Sequence, residues 1–582
     1  MAGLHSLGTM VETDVLIIGH GIAGLAAAIT VKENDPTLDV LAVDKASVGY
    51  GGKANKGGGH CAFIPEGGEE QYVEYHTRNL GDYLNDQDLL RLYAHSTRDV
   101  LRHMESWGVK IVGKDTPFRG HPIIPWMVVV VDLDLLLHMA RHAKRLGIRF
   151  MEKVSVVDLL TDGDRVVGAI GFSLLDGTTY IYKAKAVILA NGGQNWGIMR
   201  MWSSGRGDGI AAAYRAGAKM RNAEFGSFVN MVHVETKMVA YGAEDCLYNS
   251  KGERLGSRAQ LAEGLKTVLG GVDIGGHDAL YMYWEVRQGN GPIYENTEEN
   301  KFPYSPPGKN LCLLSGTPDP DWRRPVAEKF WERLLAKKRA GYRTPGPLRE
   351  TIPGLIGECT PLYVDHNMAT SLKGLFGAGD ICGNGSAWTG AVPTPPGRNR
   401  GSGLVNAVFT ARLAGQSAAK YALAQTSDGI IDAGQVATLK NEIFAPLRRY
   451  SGVTTDEIIW GVKNVMQPLK YSIWKSEERL KEALDKVMAL KELLNLVVAR
   501  DYHYLSTANE CRSMVLCAEM FFRASLARKE SRGWHLREDY PARDDKNFLR
   551  WIVLQKKDGE MEVSFEDLPM HKYRYKPEGY GN

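Results

Sequence analysis

Val15-Leu16-Ile17-Ile18-Gly19-His20-Gly21-Ile22-Ala23-Gly24 decides how this chain begins to fold. Four apolar residues read as a buried parallel strand, the glycines fit G-x-G-x-x-G, and Leu25-Ala26-Ala27-Ala28 starts a helix. A second apolar run, Leu38 to Val43, ends in Asp44, twenty residues past Gly24. An acidic side chain at that distance can accept a ribose hydroxyl. Bare backbone at the glycines lets a pyrophosphate approach the helix N-terminus, where unpaired N–H groups and the helix dipole attract anions. The pattern predicts a dinucleotide site; a tight strand-to-helix turn with no ligand is the alternative.

A chain of 582 residues is too long for one simple core, so about two to four domains are expected. Hydrophobic residues at 44% and charged residues at 24% are ordinary globular values. A formal net charge of +3 argues against nucleic acid or a membrane surface as the main partner. The seven cysteines (Cys61, Cys246, Cys312, Cys359, Cys382, Cys511 and Cys517) form no C-x-x-C pair, so neither an iron–sulfur nor a zinc site is legible. Scattered cysteines fit a reducing compartment. The first dozen residues carry no secretory pattern, and the most apolar stretch, Ile123 to Leu137, is broken by Asp132 and Asp134. A soluble, cytoplasmic protein is expected, with membrane attachment requiring another subunit.

Residues 12–224 read as an α/β unit, interrupted by the glycine-rich Gly49–Gly59 loop. A helix is predicted over 85–107, ended by Gly108. A β-meander follows, with strands Phe150–Val154, Arg165–Ala169 and Thr179–Tyr182 and turns at Asp162-Gly163 and Asp176-Gly177. Ala186–Ala190 reads as a further buried strand running into Asn191-Gly192-Gly193. Over 225–355 periodicity weakens and prolines gather, which suggests an inserted, loop-rich domain. Gly374–Asp380 returns to strand-then-turn grammar, so the first unit resumes over 356–435. Residues 436–582 form a C-terminal helical domain, with a bundle-like heptad pattern over Trp474–Val498 and a final hairpin turn at Lys557-Asp558-Gly559-Glu560.

Four blocks in order then resemble the flavoprotein subunits of fumarate reductase, succinate dehydrogenase and adenylylsulfate reductase, with L-aspartate oxidase a more distant cousin. They are the fingerprint with Val43–Ser47, the strand Ala186–Asn191 with Gly192-Gly193, Gly374–Asp380, and Arg528–Gly533 through Arg537–Pro541. Asp44-Lys45-Ala46-Ser47 and Gly289–Tyr294 look nearest to the adenylylsulfate reductase branch. The resemblance implies an α/β fold: a Rossmann-like FAD-binding domain, an inserted α+β capping domain and the C-terminal helical domain. It places FAD against Gly19, Gly21, Ile22, Ala23, Gly24, Asp44, Lys45, Ala46, Ser47, Gly52, Lys53, Gly57, Gly58, Val154, Ala190, Asn191, Gly192, Gly379, Asp380, Gly403, Leu404 and Val405. Asp380 would hold the ribityl chain or a water beside the pyrophosphate, or else serve only as a helix cap. The family's attachment histidine falls here on Gly51 or Gly52, so FAD is expected to be non-covalent, and His60 just beyond reads as a flavin-site or structural residue.

The resemblance also implies a small anionic substrate, reduced or dehydrogenated at a C=C bond, or alternatively adenylylsulfate. Arg400, after Asn399, is the expected anion clamp, with Arg398 as fallback and a structural ion pair as the bland alternative. His366 lies near the family's substrate histidine, although another alignment puts Asp365 there. The family's proton-delivering arginine is missing upstream of Val286-Arg287-Gln288-Gly289; His277 could replace it or merely occupy a turn, and Arg254 or Arg258 could move in. Trp388 could stack on an aromatic group or plug a domain interface. Electrons are expected to pass through a small ferredoxin-type iron–sulfur subunit. The Arg528–Pro541 block either helps form its docking face or braces the tail. A scaffold that binds FAD while a partner does the chemistry is the reading from another class.

Overall fold

The computed structural model describes residues 3–54, 59–119, 126–198, 205–225, 229–235, 240, 246–255, 278–299, 348–355, 359–385, 402–426, 429–533 and 535–580. Its centre is a seven-stranded sheet in the order Arg149–Met151, Val40–Val43, Thr9–Ile18, Thr179–Leu189, Arg165–Ser173, Val154–Asp162, with Leu375–Gly377 also paired to Thr179–Leu189. The strands flanking Thr9–Ile18 run parallel to it, and Val15–Ile18 are all buried. Helices cover this part of the sheet, which is why its strands read as unbroken apolar runs.

Thr179–Tyr182 and Ala186–Ala190, expected as two strands, are one strand of 11 residues. Its first half pairs antiparallel with Arg165–Ser173 and its last three residues pair parallel with Leu375–Gly377. The burial pattern changes along it, from alternation to continuous burial, and that change imitates a break. Phe150–Val154, by contrast, is not one strand. Met151 ends a strand parallel to Val40–Val43, Lys153 takes φ +58°, and Val154 opens an antiparallel strand. Turns lie at both expected meander positions, with Gly163 and Gly177 at positive φ.

The fingerprint helix Ile22–Asn34 is buried from Ile22 through Val31, because it lies between the sheet and the helix Ser402–Ala424. Small residues make that close crossing possible: a Cβ on Gly415 would sit 2.8 Å from the Ala27 carbonyl oxygen. The helix Gln87–Ser106 starts at Asp86, whose side chain accepts from Leu89 N at 3.0 Å, and it ends before Gly108 at φ +91°.

Within the insertion, Val229–His233, Leu348–Leu355, Ile293–Asn296 and Leu247–Tyr248 form a four-stranded antiparallel sheet against the helix Asp278–Arg287. The first two are neighbours, so the chain enters and leaves this sheet side by side.

The C-terminal part contains the helices Ala433–Phe444, Thr455–Met466, Glu477–Leu493 and Tyr502–Ala527. The heptad stretch over Trp474–Val498 is only partly helical. Trp474-Lys475 is a strand parallel to Leu536-Arg537, and Ser476 then caps the helix Glu477–Leu493. The final hairpin, Arg550–Lys557 with Glu560–Asp567, turns at Asp558 and Gly559, both at positive φ as that tight turn demands. It also pairs with Met220-Arg221, which ties the end of the chain to the first unit. Among the described residues no helix is long and apolar enough to cross a membrane.

Candidate functional site: a dinucleotide cradle

The sheet delivers three chain reversals to one place. At the end of Thr9–Ile18, Gly19 takes φ +97°, and a Cβ there would lie 2.7 Å from the Ala190 carbonyl oxygen. Gly24 is equally fixed, since its Cβ would stand 1.8 Å from the Gly19 oxygen, closer than any contact allows. Gly21 caps the fingerprint helix and faces the backbone of Gly52. At the end of Leu375–Gly377, Ala378 N donates to Leu189 O at 2.9 Å and Gly379 N to Thr410 Oγ1 at 2.9 Å. Gly379, at φ +76°, presses on Ala23: its Cβ would be 2.7 Å from the Ala23 Cβ. Gly192, also at positive φ, has open space where a side chain would be. Ala190 N donates to Ile18 O, and Asn191 packs its side chain against Gly209.

Asp44 is held at the far corner. Its Oδ2 accepts from His20 N at 2.8 Å and its Oδ1 from Ala46 N at 3.0 Å. Its own backbone is clamped between Met151 and Val154, with Val154 N donating to the Asp44 carbonyl at 3.1 Å. His20 is fully buried, its Nδ1 3.6 Å from Asp44 Oδ2 and its ring edge-on to Phe150. Asp44 thus presents a carboxylate of fixed orientation with acceptor capacity to spare. Ser47 sits in the turn that follows, its carbonyl accepting from Tyr50 N.

Lys45 points elsewhere. Its ammonium bonds Asp208 at 2.5 Å and Glu510 at 2.7 Å, joining the cradle to the C-terminal helix Tyr502–Ala527. Burial works against that charge, but the two carboxylates overcome it and hold Lys45 well above its ordinary value. Lys53 Nζ pairs with Asp380 Oδ2 at 2.9 Å. Gly403, Leu404 and Val405 open the long helix Ser402–Ala424, with Val405 fully buried. Gly57 and Gly58 lie outside the described residues.

Of the catalytic candidates Arg400, His366 and His277, His366 alone lies among the described residues. His366 stands at a turn held by Asp365, whose Oδ1 accepts from Asn367 N and Ala369 N. The described bond of the His366 ring is to Asp86 at 2.8 Å, which joins it to the N-cap of Gln87–Ser106. That hydrogen bond raises the His366 pKa, with burial opposing. His277, Arg258, Trp388, Arg398 and Arg400 lie outside the described residues. Arg254 bridges to Tyr248 in the inserted sheet. Arg287 stacks 5.1 Å from the Trp474 ring and pairs with Glu538, which Arg479 also holds at 2.7 Å. Burial pushes the Glu538 carboxyl up, but these arginines bring it below its usual value.

The block Arg528–Pro541 lies largely inside the fold. Arg528, Glu530, Arg532, His535 and Arg537 are buried; Arg528 bonds Glu224 and Glu530 at 2.8 Å each, and Arg532 bonds Glu530 at 2.8 Å. Lys475 donates to His535 Nδ1 at 2.9 Å in the same core. These buried side chains brace the tail, while Lys529, Glu538, Asp539 and Pro541 of the same block are exposed. Sequence reading located the block but could not choose between the two roles. It missed Glu224, Lys475 and Glu510 altogether, because nothing local marks a charge whose partner is hundreds of residues away.

Comparison with known proteins agrees with this geometry. The family model for the FAD binding domain matches residues 14–277, and that for the fumarate reductase flavoprotein C-terminus matches 462–580. One chain of the fumarate reductase (CoM/CoB) of Methanothermobacter marburgensis is 27% identical over 588 residues, covering 95% of this chain and 98% of its own. The flavoprotein subunit of the 8-methylmenaquinol:fumarate reductase of Wolinella succinogenes is 26% identical over 611 residues, covering 97% and 92%. Among solved structures, adenylylsulfate reductase of Archaeoglobus fulgidus superposes with TM-score 0.74 at 24% identity, covering 96% of each chain. The E. coli quinol fumarate reductase flavoprotein superposes with TM-score 0.77 at 20% identity, covering 96% and 97%. These two likenesses show the fold.

Fold and cradle together define an FAD-dependent oxidoreductase: the close backbone packing at Gly19, Gly24 and Gly379, the open space at Gly192 and the oriented Asp44 carboxylate fit that cofactor. The chain belongs to the fumarate reductase and succinate dehydrogenase family of flavoproteins, which has adenylylsulfate reductase among its structural neighbours.

Proposed function

We propose that this chain is the flavoprotein subunit of a cytoplasmic complex that reduces or dehydrogenates a small carboxylate-bearing substrate at a C=C bond. FAD, held non-covalently, supplies transfer of the electron pair when bound. The observation that carries this reading is the whole-length likeness to fumarate reductase subunits, joined to a cradle in which Gly51, Gly52 and Lys53 meet Asp44, Gly21 and Asp380 in turn. Asp44 orients the adenosine ribose, and the fingerprint helix N-terminus and Gly52 receive the pyrophosphate. Gly379 and Asp380 set the ribityl side, with Asn191 and Gly192 across from them. Gly403, Leu404 and Val405 present a helix N-terminus that favours negative charge on the reduced ring. Arg400 would clamp the substrate anion, and His277 would deliver the proton. His366, oriented by its bond to Asp86, is the further candidate for contact with the substrate. Electrons reach the chain from a small iron–sulfur subunit.

A second reading, adenylylsulfate as substrate, is favoured by the Asp44-Lys45-Ala46-Ser47 block with its anchored Lys45. Turnover with a reduced dye on unsaturated dicarboxylic acids and on adenylylsulfate separates the two. Dye oxidation with the acids alone supports the first. Oxidation with neither makes the chain an electron-transfer subunit whose partner does the chemistry. Acid precipitation tests the attachment: FAD should appear in the supernatant.

A further inference from the structure

Tyr450, Trp460, Leu493 and Leu496 are large apolar side chains of the tail that stand exposed. The segments carrying Tyr450 and Leu496 are joined, since Val453 N donates to Leu496 O at 3.0 Å, and Leu493 comes one turn earlier. Trp460 projects from the helix Thr455–Met466, whose Gly461 packs on the neighbouring helix: a Cβ there would be 2.5 Å from Leu490 Cδ2. Both helices pack on Tyr502–Ala527, which in turn packs on Asp208–Arg215 of the first unit and takes Lys45 of the cradle at Glu510. Trp460 itself is 58% exposed. A lone apolar residue at a surface needs no explanation, but this one is the centre of a charge pattern. Asp456 stands four residues before it and Lys463 three after, so helical spacing puts all three on one stripe. Asp456 is exposed, and Lys463 holds its ammonium 5.3 Å from the centre of the Trp460 ring.

We propose that this stripe is the contact between two copies of the chain, crossed antiparallel about a two-fold axis at Trp460. In that arrangement the two indoles meet, and Asp456 of each copy faces Lys463 of the other. A parallel pair would set Asp456 against Asp456 and Lys463 against Lys463, so the charges select one orientation. Glu457, on the flank, is held in the capping box, where it accepts from Thr454 N at 2.7 Å, and it would face Asn464 of the second copy. Tyr450 and Leu496, at the N-terminal end of the helix, add apolar area. One acid and one base set about an aromatic centre make a self-complementary surface. A subunit that delivers electrons to the flavin has its place at the cradle and needs no such stripe. Only the signs of the charges enter, so added salt should weaken the contact.

The test is sedimentation velocity of the flavin-loaded full chain over about 0.1–100 μM at two salt concentrations. A monomer–dimer equilibrium that shifts toward monomer with dilution and with salt is expected. Trp460→Ser should raise the dimer Kd at least about 30-fold, as loss of a central aromatic anchor does. Asp456→Lys and Lys463→Asp should each give monomers, because each sets like charges face to face. Mixing these two single variants should restore a dimer, and so should both exchanges in one chain. Circular dichroism melting checks that each variant is folded; should an exchange not fold, Asp456→Asn and Lys463→Gln should each weaken the dimer instead. A monomer at every concentration overturns the proposal, and so does a dimer indifferent to Trp460→Ser. A dimer lost in both exchanges but not restored by mixing overturns the antiparallel pairing. Association seen only after an iron–sulfur subunit is added also overturns it, and assigns the stripe to that partner.

Discussion

Asp44 is framework by its own hydrogen bonds, and as the proposed ribose contact it would serve the ligand as well. Its carboxylate accepts two backbone N–H groups and so fixes the turn that carries the first glycines. Asp44→Ala should weaken FAD binding by about 10- to 100-fold, the cost of losing hydrogen bonds to a charged acceptor, measured by rebinding to the deflavinated chain. At His366 the expected signature is in stability against pH. Burial pushes Asp86 up, yet the His366 hydrogen bond and charge bring it below its ordinary 3.8, and the same bond raises His366 above 6.5. The carboxylate share of this stability is present above 3.8 and lost as pH falls through the lowered Asp86 value. The histidine share is fully present below 6.5 and lost as pH rises through the raised value. His366→Asn should therefore lower Tm most near pH 5 to 6, with the gap closing at alkaline pH; solvent at this half-exposed ring keeps the effect small. Asp44 was legible in the sequence because its neighbours signal it locally. The Asp86 partner of His366 was not, because the two are 280 residues apart.

At the scale of elements, the fold was legible where hydrophobic period and turn chemistry agree. Val15–Ile18, Leu38–Val43 and the two glycine turns of the meander are such places. It was not legible at Lys153, where a non-glycine residue at φ +58° ends one strand and begins another. Trp474-Lys475 misled for a different reason: apolar and charged residues at heptad spacing continue the helix pattern, but Lys475 finds buried partners in His535 and Ser525. The crossing of Gly19 and Gly24 admits no side chain. Gly24→Ala puts a methyl 1.8 Å from a backbone oxygen, so strand and helix must part. That variant should purify without flavin and melt lower than the unaltered chain, as absorbance and circular dichroism would show. An unchanged flavin content would mean that the turn can open without losing the site.

For the molecule as a whole, the long-range charges matter most. Glu530 takes bonds from Arg528 and Arg532 with no solvent exposure at any of the three side chains. Glu530→Gln leaves Arg528 to Glu224 and Arg532 to Asp545, and the lost charge-assisted bonds should cost about 1.5–3 kcal/mol, read by denaturant unfolding. Because Arg528 also bonds Glu224, the loss should loosen the seam between the first unit and the tail, without touching the cradle directly. Arg287, at the end of the helix Asp278–Arg287, and Glu538 make a second, partly exposed tie from the insertion to the tail. Composition could predict neither tie: both join segments that are ordinary on their own.

The central strand Thr179–Leu189 borrows a neighbour, Leu375–Gly377, from beyond the insertion, and the fingerprint helix is covered by Ser402–Ala424. A chain emerging from the ribosome therefore displays Gly19 to Asp44 long before it owns Asp380 or that covering helix. Cofactor capture must wait until some 400 residues have been made, which at usual synthesis rates is on the order of 20–80 s. Through that interval the alanine-rich face of Ile22–Asn34 has no roof. The supply of chaperones, as much as the supply of flavin, should then set how much of this protein reaches its loaded state.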